Sequence, residues 1–482
     1  MPRKPTKTAA KAARSTRRTT APDSLPLSIV ILAAGQGTRM RSDVPKVLQP
    51  LAGAPLLAHV LQLAASLSPA AIHIVHGHGG AQVRECFPDP ALRWWPQAEQ
   101  RGTGHALQQA LPGIPDSHQV LVLYGDVPLL RTETVQALID GARQGSGIAL
   151  LTAVLAQPEG YGRVVRNARG RLQRIVEQRE AGERELRIRE INTGVLLAPA
   201  RLLRTWLAAL PAANAQGEIY LTAVIGMAVR ARLSVAALRA ADAGEALGVN
   251  DKQQLAAAEA EYRRRRACSL MAQGVTLIDP SRIDLRGPIS VGRDVLLDVN
   301  VVLDGPVELA DGVQIGANCV LSNVRVGERS VLLPNCVLQD AQIGSDCRIG
   351  PFTRVRPESH IEDHVHLGNF VEVKKSRIGS GSKANHLSYI GDAEIGREVN
   401  VGAGTITCNY DGANKWPTRI GDRAFIGSGS MLVAPVTVGA GATIGAGSTI
   451  TADAPAGKLT LARTRQLTIE QWQRPRRTRS KS

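Results

Sequence analysis

Three groups of residues in this sequence have types and spacings that could do chemistry. In "LAAGQGTRM" (Leu32 to Met40) an apolar run ends in Gly35 and Gly37, followed by Arg39. Glycine turns of this kind can cradle phosphate, because their backbone amides approach its oxygens closely. Neither common phosphate loop fits, however. Met40 stands where the dinucleotide fingerprint needs its third glycine, and the Gly-Lys-Ser/Thr of a P-loop is missing nearby. The loop therefore serves a third purpose or none. Asp126, in "YGDVPL", is either a cation ligand at a strand's carboxyl end or a helix cap. His386, in "SKANHLSYIG", is either a base or a surface residue of a repeat.

The elements that must position these residues fall into two halves with different periods. From Leu27 to about Asn250, "LSIVILAAG", "IHIVHG", "VLVLYGD" and "IALLTAVL" read as doubly buried strands. Between them, "LLAHVLQLAASL" and "TVQALIDGARQ" carry apolar residues at helical spacing. Such alternation predicts an open, mostly parallel sheet whose ligand sits beyond the strands' carboxyl ends. That puts the glycine loop and "GDVPLL" at the mouth of one crevice. Residues 251–272 read as a helix bridging the halves, with Glu259, Glu261 and arginines 263–266 as a solvated face.

After Gly274 the period becomes six. Val291, Leu297, Leu303, Leu309, Ile315 and Leu321 form one run, Ile343 to Val373 a second, and Ile420 to Ile450 a third. Every one of these eighteen positions is Ile, Leu or Val, and glycine often follows. Six is neither a helical nor a strand period. It predicts a three-sided parallel β-helix, eighteen residues per coil, with the aliphatics inside and glycine or small polar residues at the corners. "TCNYDG" interrupts the period after Val401, and insertions in solenoids commonly carry binding function.

The bulk numbers exclude other classes. The 482 residues exceed what one hydrophobic core accommodates. The net charge of +16 invites a nucleic-acid reading, but residues 1–25 and 463–482 each carry +6 of it. Both ends are expected to be disordered basic tails, with no specific nucleic-acid partner. The first lacks the apolar stretch of a secretory signal, and no run of 18 apolar residues could span a membrane. Six scattered cysteines without a C-x-x-C pair suit free thiols in a reducing, cytoplasmic setting.

With these segments side by side, the chain resembles the bacterial bifunctional N-acetylglucosamine-1-phosphate uridyltransferase / glucosamine-1-phosphate N-acetyltransferase family. The resemblance runs from about Leu27 to Arg463. It rests on "ILAAGQGTRMRSDVPKVL", "QAEQRGTGHA", "LYGDVPL", "GYGR", "INTGVL", "GNFVEVKKS", "YIGDAEIG" and "NVGAGTITCNYDGANK". It implies an α/β Rossmann-like nucleotidyltransferase domain (27–252), a linker helix (253–273) and a left-handed parallel β-helix acetyltransferase domain (274–463), between tails 1–26 and 464–482. It also implies homotrimers, Mg²⁺ as cofactor, and UTP and acetyl-CoA as co-substrates. Acetylation of glucosamine 1-phosphate would precede uridylyl transfer to N-acetylglucosamine 1-phosphate, feeding peptidoglycan and lipopolysaccharide synthesis. The rival reading keeps uridylyl transfer alone, with the β-helix only assembling the oligomer.

Under this resemblance the glycine loop gains a purpose. Gly35 and Gly37 bring amides to the UTP phosphates, and Arg39 and Lys46 add a fork and a point charge, without a Walker lysine. Asp126 and Asn250 are the implied metal ligands. Leu32, Ala33, Ala34, Gly35, Lys46, Gln97, Gly102, Thr103, Tyr124, Gly125 and Asp126 are implied to hold the nucleotide, and Gly162, Glu177 and Asn192 the sugar. In the second half His386 is the implied base that deprotonates the amino sugar. Arg356 and Lys374 would grip its phosphate, with Tyr389, Asn400, Asn409 and Tyr410 around the sugar and thioester. Ala403, Ser428, Ala446 and Arg463 would meet CoA. Ala223 stands where the family carries aspartate, and Asn385 where it carries glycine.

Overall fold

The computed structural model describes residues 25–210 and 217–474, so the basic tails lie outside the described residues over 1–24 and 475–482. These residues divide into two compact units: 25–49 with 56–251, and 50–55 with 252–474.

In the first unit the apolar runs become strands. Those used below are β1 (Leu27–Ala33), β2 (Ala71–His76), β3 (Leu92–Pro96), β4 (Gln119–Tyr124), β5 (Ile148–Val154), β6 (Arg163–Arg166), β7 (Leu172–Val176), β8 (Glu190–Pro199) and β9 (Val235–Arg239). The sheet order is β9-β5-β8-β4-β1-β2-β3, with the β6–β7 hairpin attached to β8. β1 pairs in parallel with β2 and β4, placing Leu32 beside Tyr124 and Ala33 beside His76. β8 runs antiparallel to β4 and β5, so the sheet is mixed. Its pairing with β5 shifts register between Asn192 and Leu196, a bulge that re-aims side chains next to the crevice. Helices α1 (Leu56–Ser66), α2 (Gly80–Cys86), α3 (Thr103–Ala110), α4 (Thr132–Arg143), α5 (Ala200–Ala209) and α6 (Ala223–Arg230) accompany the sheet. The strand residues contribute to two apolar clusters, one containing Val30 and Val122 and the other Ile29, Ile31 and Leu121.

The second unit begins with α7 (Lys252–Ala272), which buries Ala267 and Leu270 in the core of the repeat domain. Its charged face is more engaged than a solvated face would be. Glu259 accepts the Ala52 amide at 2.7 Å, and Arg266 donates to the Gly287 carbonyl. Glu261 is held at a pKa of about 2, chiefly by its hydrogen bond from Arg264, with Arg265 adding to it.

The repeat itself is a parallel β-helix. Leu303 pairs with Leu321, Ile349 with Leu367, Val355 with Val373, and Ile426 with Ile444, each one coil of eighteen residues on. Seventeen of the eighteen period-six aliphatics are buried, and Val291 is partly buried against the same core. Two stretches shorten the coil to seventeen, as in Leu321–Leu338 and Val373–Ile390. One coil lengthens: Ile395 pairs with Ile420 and Val401 with Ile426. Thr407 continues the inward row, so the extra residues lie between Cys408 and Thr418.

The corners correct one expectation. Left-handed backbone occurs at Arg329, Phe352, Glu358, His364, Phe370 and Leu387, not only at glycine and small polar residues. An outward-pointing corner side chain avoids the coil core and meets solvent or the same corner of the next coil, as Arg329 meets Asp346, and the coil's hydrogen bonds offset the backbone cost. The glycines that follow the aliphatics have a different cause. A Cβ at Gly421 would sit 2.6 Å from the Ala440 amide nitrogen of the next coil. Close stacking of backbones, not a positive φ, demands glycine there.

Candidate functional sites

The glycine loop follows β1 and turns into a single 3-10 turn, Thr38–Met40. Gly37 adopts φ +64°, and a Cβ on it would lie 2.7 Å from Cβ of Lys46. Glycine there lets Lys46 pack under the loop. Lys46 is mostly buried, and its ammonium donates to the Asp126 carboxylate and, at 3.1 Å, to Asn250 Oδ1. The two oxygens implied as metal ligands thus converge on one positive charge. A carboxylate and an amide oxygen are hard donors, suited to a small divalent cation completed by water and phosphate oxygens. The residues fit such an ion.

A crevice of about 480 Å³ opens beside this cluster. Leu32, Ala33, Ala34, Gly35, Lys46, Gln97, Gly102, Thr103, Tyr124, Asp126, Gly162, Glu177 and Asn192 all line it. Besides Gly37, three implied residues stand off the wall. Gly125 donates its amide to the Leu32 carbonyl at 3.0 Å, tying the two strand ends together. Asn250 reaches the site through Lys46, and Arg39 is exposed on its turn. Burial, reinforced by Asp126 and Glu177, pushes the Tyr124 phenol far up, so it stays neutral. Burial also raises the Glu177 carboxyl, although a 2.7 Å hydrogen bond from Thr222 opposes that.

Sequence reasoning missed several wall residues. Gln100 donates to the Ala34 carbonyl at 2.7 Å and lines the crevice with Tyr161, Glu218, Tyr220 and Thr222. Gln100 and Tyr161 lie inside the quoted motifs "QAEQRGTGHA" and "GYGR", which was the available signal. Ala223 begins α6, immediately after Thr222.

On the β-helix, most of the implied acetyl-transfer residues lie along one edge and the face that follows it. The amides of Leu387, Gly404, Gly429 and Gly447 donate to the carbonyls of Asn369, His386, Ala403 and Ser428, at 2.7 to 3.3 Å. Arg463 extends this ladder with a 2.8 Å bond to the Ala446 carbonyl. Positions far apart in sequence therefore form a continuous edge: Asn369, His386, Ala403, Ser428, Ala446, Arg463. His386 is exposed, and its Nδ1 lies 3.2 Å from Asn369 Oδ1. An amide oxygen there accepts from Nδ1–H, which leaves Nε2 as the basic nitrogen. Asn369 went unnoticed in the sequence because it is seventeen residues from His386. Asn385 keeps ordinary strand backbone on Lys383–His386, so glycine is not required there.

On the adjoining face, Arg356 bonds to Glu372 at 2.9 Å, and Lys374 pairs in register with Gly391. Asn409 donates to Asp392, and Tyr410, exposed on the insertion, donates to the Gly412 carbonyl. Asn400 stands apart, paired with Lys383 and Phe425 on the preceding face. Lys415, inside the insertion, is a further unforeseen cation. Its pKa is lowered chiefly by Lys374 beside it, with Asp392 and Tyr389 opposing. Two ammonium groups held together form a natural anion site.

A mixed α/β sheet with a glycine-loop crevice, joined to a hexapeptide-repeat β-helix, defines a metal-dependent nucleotidyltransferase fused to a hexapeptide transferase. Residues 29–218 match the model for the MobA-like NTP transferase domain. Residues 340–375 and 417–452 match the bacterial transferase hexapeptide, and 288–323 the hexapeptide repeat of succinyl-transferase. The chain is 55% identical to the bifunctional protein GlmU of Aromatoleum aromaticum, covering 93% of this chain and 98% of that one. Identity is 56% to the GlmU of Alkalilimnicola ehrlichii (93% and 96%) and 53% to that of Chromobacterium violaceum (94% and 99%). The chain belongs to the bifunctional GlmU family.

Proposed function

We propose that the crevice makes UDP-N-acetylglucosamine from UTP and N-acetylglucosamine 1-phosphate, and that the β-helix acetylates glucosamine 1-phosphate from acetyl-CoA. The observation that carries the reading is the meeting of Lys46, Asp126 and Asn250 at one point beside a sugar-nucleotide-sized crevice. Bound Mg²⁺ would supply positive charge to the triphosphate, held by Asp126 and Asn250. Gly35 and Gly37 turn the loop so that its amides approach the phosphates, while Lys46 and Arg39 carry cations to them. Leu32, Gln97, Gly102, Thr103 and Gln100 enclose the base and ribose. Gly162, Glu177 and Asn192 face the sugar, and the sugar's phosphate oxygen attacks the α-phosphorus as pyrophosphate leaves.

In the second reaction the glucosamine amine attacks the thioester carbonyl. His386 Nε2 takes the amine's proton, and coenzyme A departs as the thiol after protonation. Asn369 holds the imidazole in the required tautomer. Arg356, Lys374 and Lys415 meet the sugar phosphate, while Ala403, Ser428, Ala446 and Arg463 offer CoA a narrow edge. Tyr389, Asn400, Asn409 and Tyr410 belong to the sugar and thioester surroundings. We assign the working form to a homotrimer whose seams complete this second site, because one prism edge is too open to enclose two substrates. Both co-substrates are cytoplasmic metabolites, so the enzyme is assigned to that compartment. The proposed borders are 27–252, 253–273 and 274–463.

Measuring both half-reactions on the purified chain, with and without Mg²⁺, tests the whole reading, with mass from light scattering beside them. UDP-sugar formation that needs the metal and thiol release that does not are expected. Intact protein that releases no thiol from acetyl-CoA with glucosamine 1-phosphate would reduce the β-helix to an assembly module.

A further inference from the structure

Gln97 follows β3 and is only 5% exposed where it lines the crevice. Its backbone amide donates to the His76 carbonyl at 2.8 Å, which pins it to the end of β2. The side chain is pinned as well. Nε2 donates to the Gly102 carbonyl at 3.2 Å and meets His105 Nδ1 at 3.1 Å. A backbone carbonyl can only accept, so the atom facing Gly102 is the amide nitrogen and not the oxygen. The second proton of that nitrogen goes to His105 Nδ1, which is therefore the unprotonated nitrogen of the ring.

Both reference points are themselves rigid. Gly102 takes φ +92°, and its carbonyl also accepts the Ala106 amide at 3.1 Å in the first turn of α3. His105 lies in that turn, half-buried, between Thr103 and Ala106 of the crevice lining. The Gly104 amide donates to the Ile219 carbonyl at 2.7 Å, and the Leu221 amide to Thr103 Oγ1 at 3.2 Å. The helix start is thus fastened to a second segment. With both amide protons of Gln97 engaged inside the protein, its Oε1 remains. Among the described residues that oxygen has no hydrogen-bond partner, and it is not sealed from solvent. It is an acceptor presented to the crevice.

We propose that His105 is a positioning residue that locks the Gln97 amide, so that Oε1 faces the nucleobase and selects a pyrimidine protonated at N3. The inference rests on the uridylyl-transfer reading above and deepens it to the choice of base. Seated with N3 against Oε1, uracil donates its N3–H. Cytosine presents a lone pair at the same place, and two facing acceptors repel after both have lost water. An untethered glutamine would turn its amide over and offer NH₂ to cytosine instead. His105 and Gly102 oppose that turn, because it would set Oε1 against a ring lone pair and a carbonyl.

His105→Phe keeps a ring but deletes the acceptor, whereas His105→Asn sets an amide oxygen close to where Nδ1 lies. The readout is kcat/KM for UTP and for CTP, each with N-acetylglucosamine 1-phosphate and Mg²⁺. The parent protein should favour UTP by about a hundredfold. In His105→Phe that preference should shrink about three- to tenfold, the worth of one hydrogen bond, through a higher KM for UTP at nearly constant kcat. His105→Asn should restore it. Acetyl transfer and the melting transition should hold in both variants. An unchanged UTP-to-CTP ratio in His105→Phe overturns the lock, even if turnover falls, and leaves the uridylyl reading standing. A parent protein that accepts CTP as readily as UTP overturns the role given to Oε1. One that makes no UDP-sugar with metal overturns the uridylyl reading itself.

Discussion

Lys46 and His386 are built into their sites by opposite means. Lys46 works in a crevice assembled from unique pieces: a glycine loop after β1, the end of β4, a bulge in β8 and the segment before α7. Each contributes one to three residues, and none of these pieces repeats. His386 stands on an edge made by repetition, where Asn369, Ala403, Ser428 and Ala446 occupy equivalent corners of successive coils. The first site is enclosed within one unit and needs many distinct contacts to exist. The second is cheap to build, because the coil's ladder delivers a column of positions automatically, but a single convex edge cannot surround a ligand. The difference teaches that irregular folds enclose, whereas solenoids align and must borrow enclosure from insertions or neighbours.

Single residues provide the sharpest break of this comparison. Asp126→Ala should lower UDP-sugar formation by about a thousandfold while acetyl transfer is unchanged. His386→Ala should do the reverse, by about a hundred- to ten-thousandfold. Parallel assays of both activities check this, and a variant that erased both in folded protein would end the two-site account.

Leu367 is fully buried in the coil core, so Leu367→Ala should cost about 2–5 kcal/mol. Loss of the repeat domain's unfolding transition in calorimetry, without loss of metal-dependent UDP-sugar formation, would show that the two halves stand independently. Asn369→Ala should leave the edge intact but free the imidazole to adopt either tautomer. Acetyl transfer should then fall about tenfold at unchanged acetyl-CoA KM, as read from initial rates.

The smallest effect is one of pH. Burial, aided by Arg93 and His118, pulls His73 down to a pKa of about 4. A histidine with a lowered folded-state pKa contributes stability that is complete above the unfolded value of about 6.5. That stability drains away as pH falls from there toward 4. Melting curves of the intact chain should show the crevice unit's transition falling across that window, and His73→Phe should flatten the slope.

Much of this was legible before any coordinates. The strands β1, β2, β4 and β5 and helices α1 and α4 follow from apolar periodicity, because residues buried on both faces cannot be polar. The six-residue repeat is still plainer, since eighteen aliphatic positions admit few other solutions. The corners were misjudged because sequence spacing locates a corner without saying what lies outside it; Phe352 and Phe370 stack with each other there at 5.4 Å. Gln100, Asn369 and Lys415 were overlooked for a common reason. Each matters through a partner 17 or more residues away, or through one on a different loop.

Sequence by itself determined the periods, and with them the two fold classes, the glycine loop and the family. These are properties of local sterics and of which side chains avoid water, so they can be read along the chain. Only the tertiary structure decided that Lys46 bonds both Asp126 and Asn250, that Gln100 bonds Ala34, and that His386 shares an edge with Ser428. Hydrogen bonds and charge contacts act over about 3 Å in space, a range to which distance along the chain is no guide.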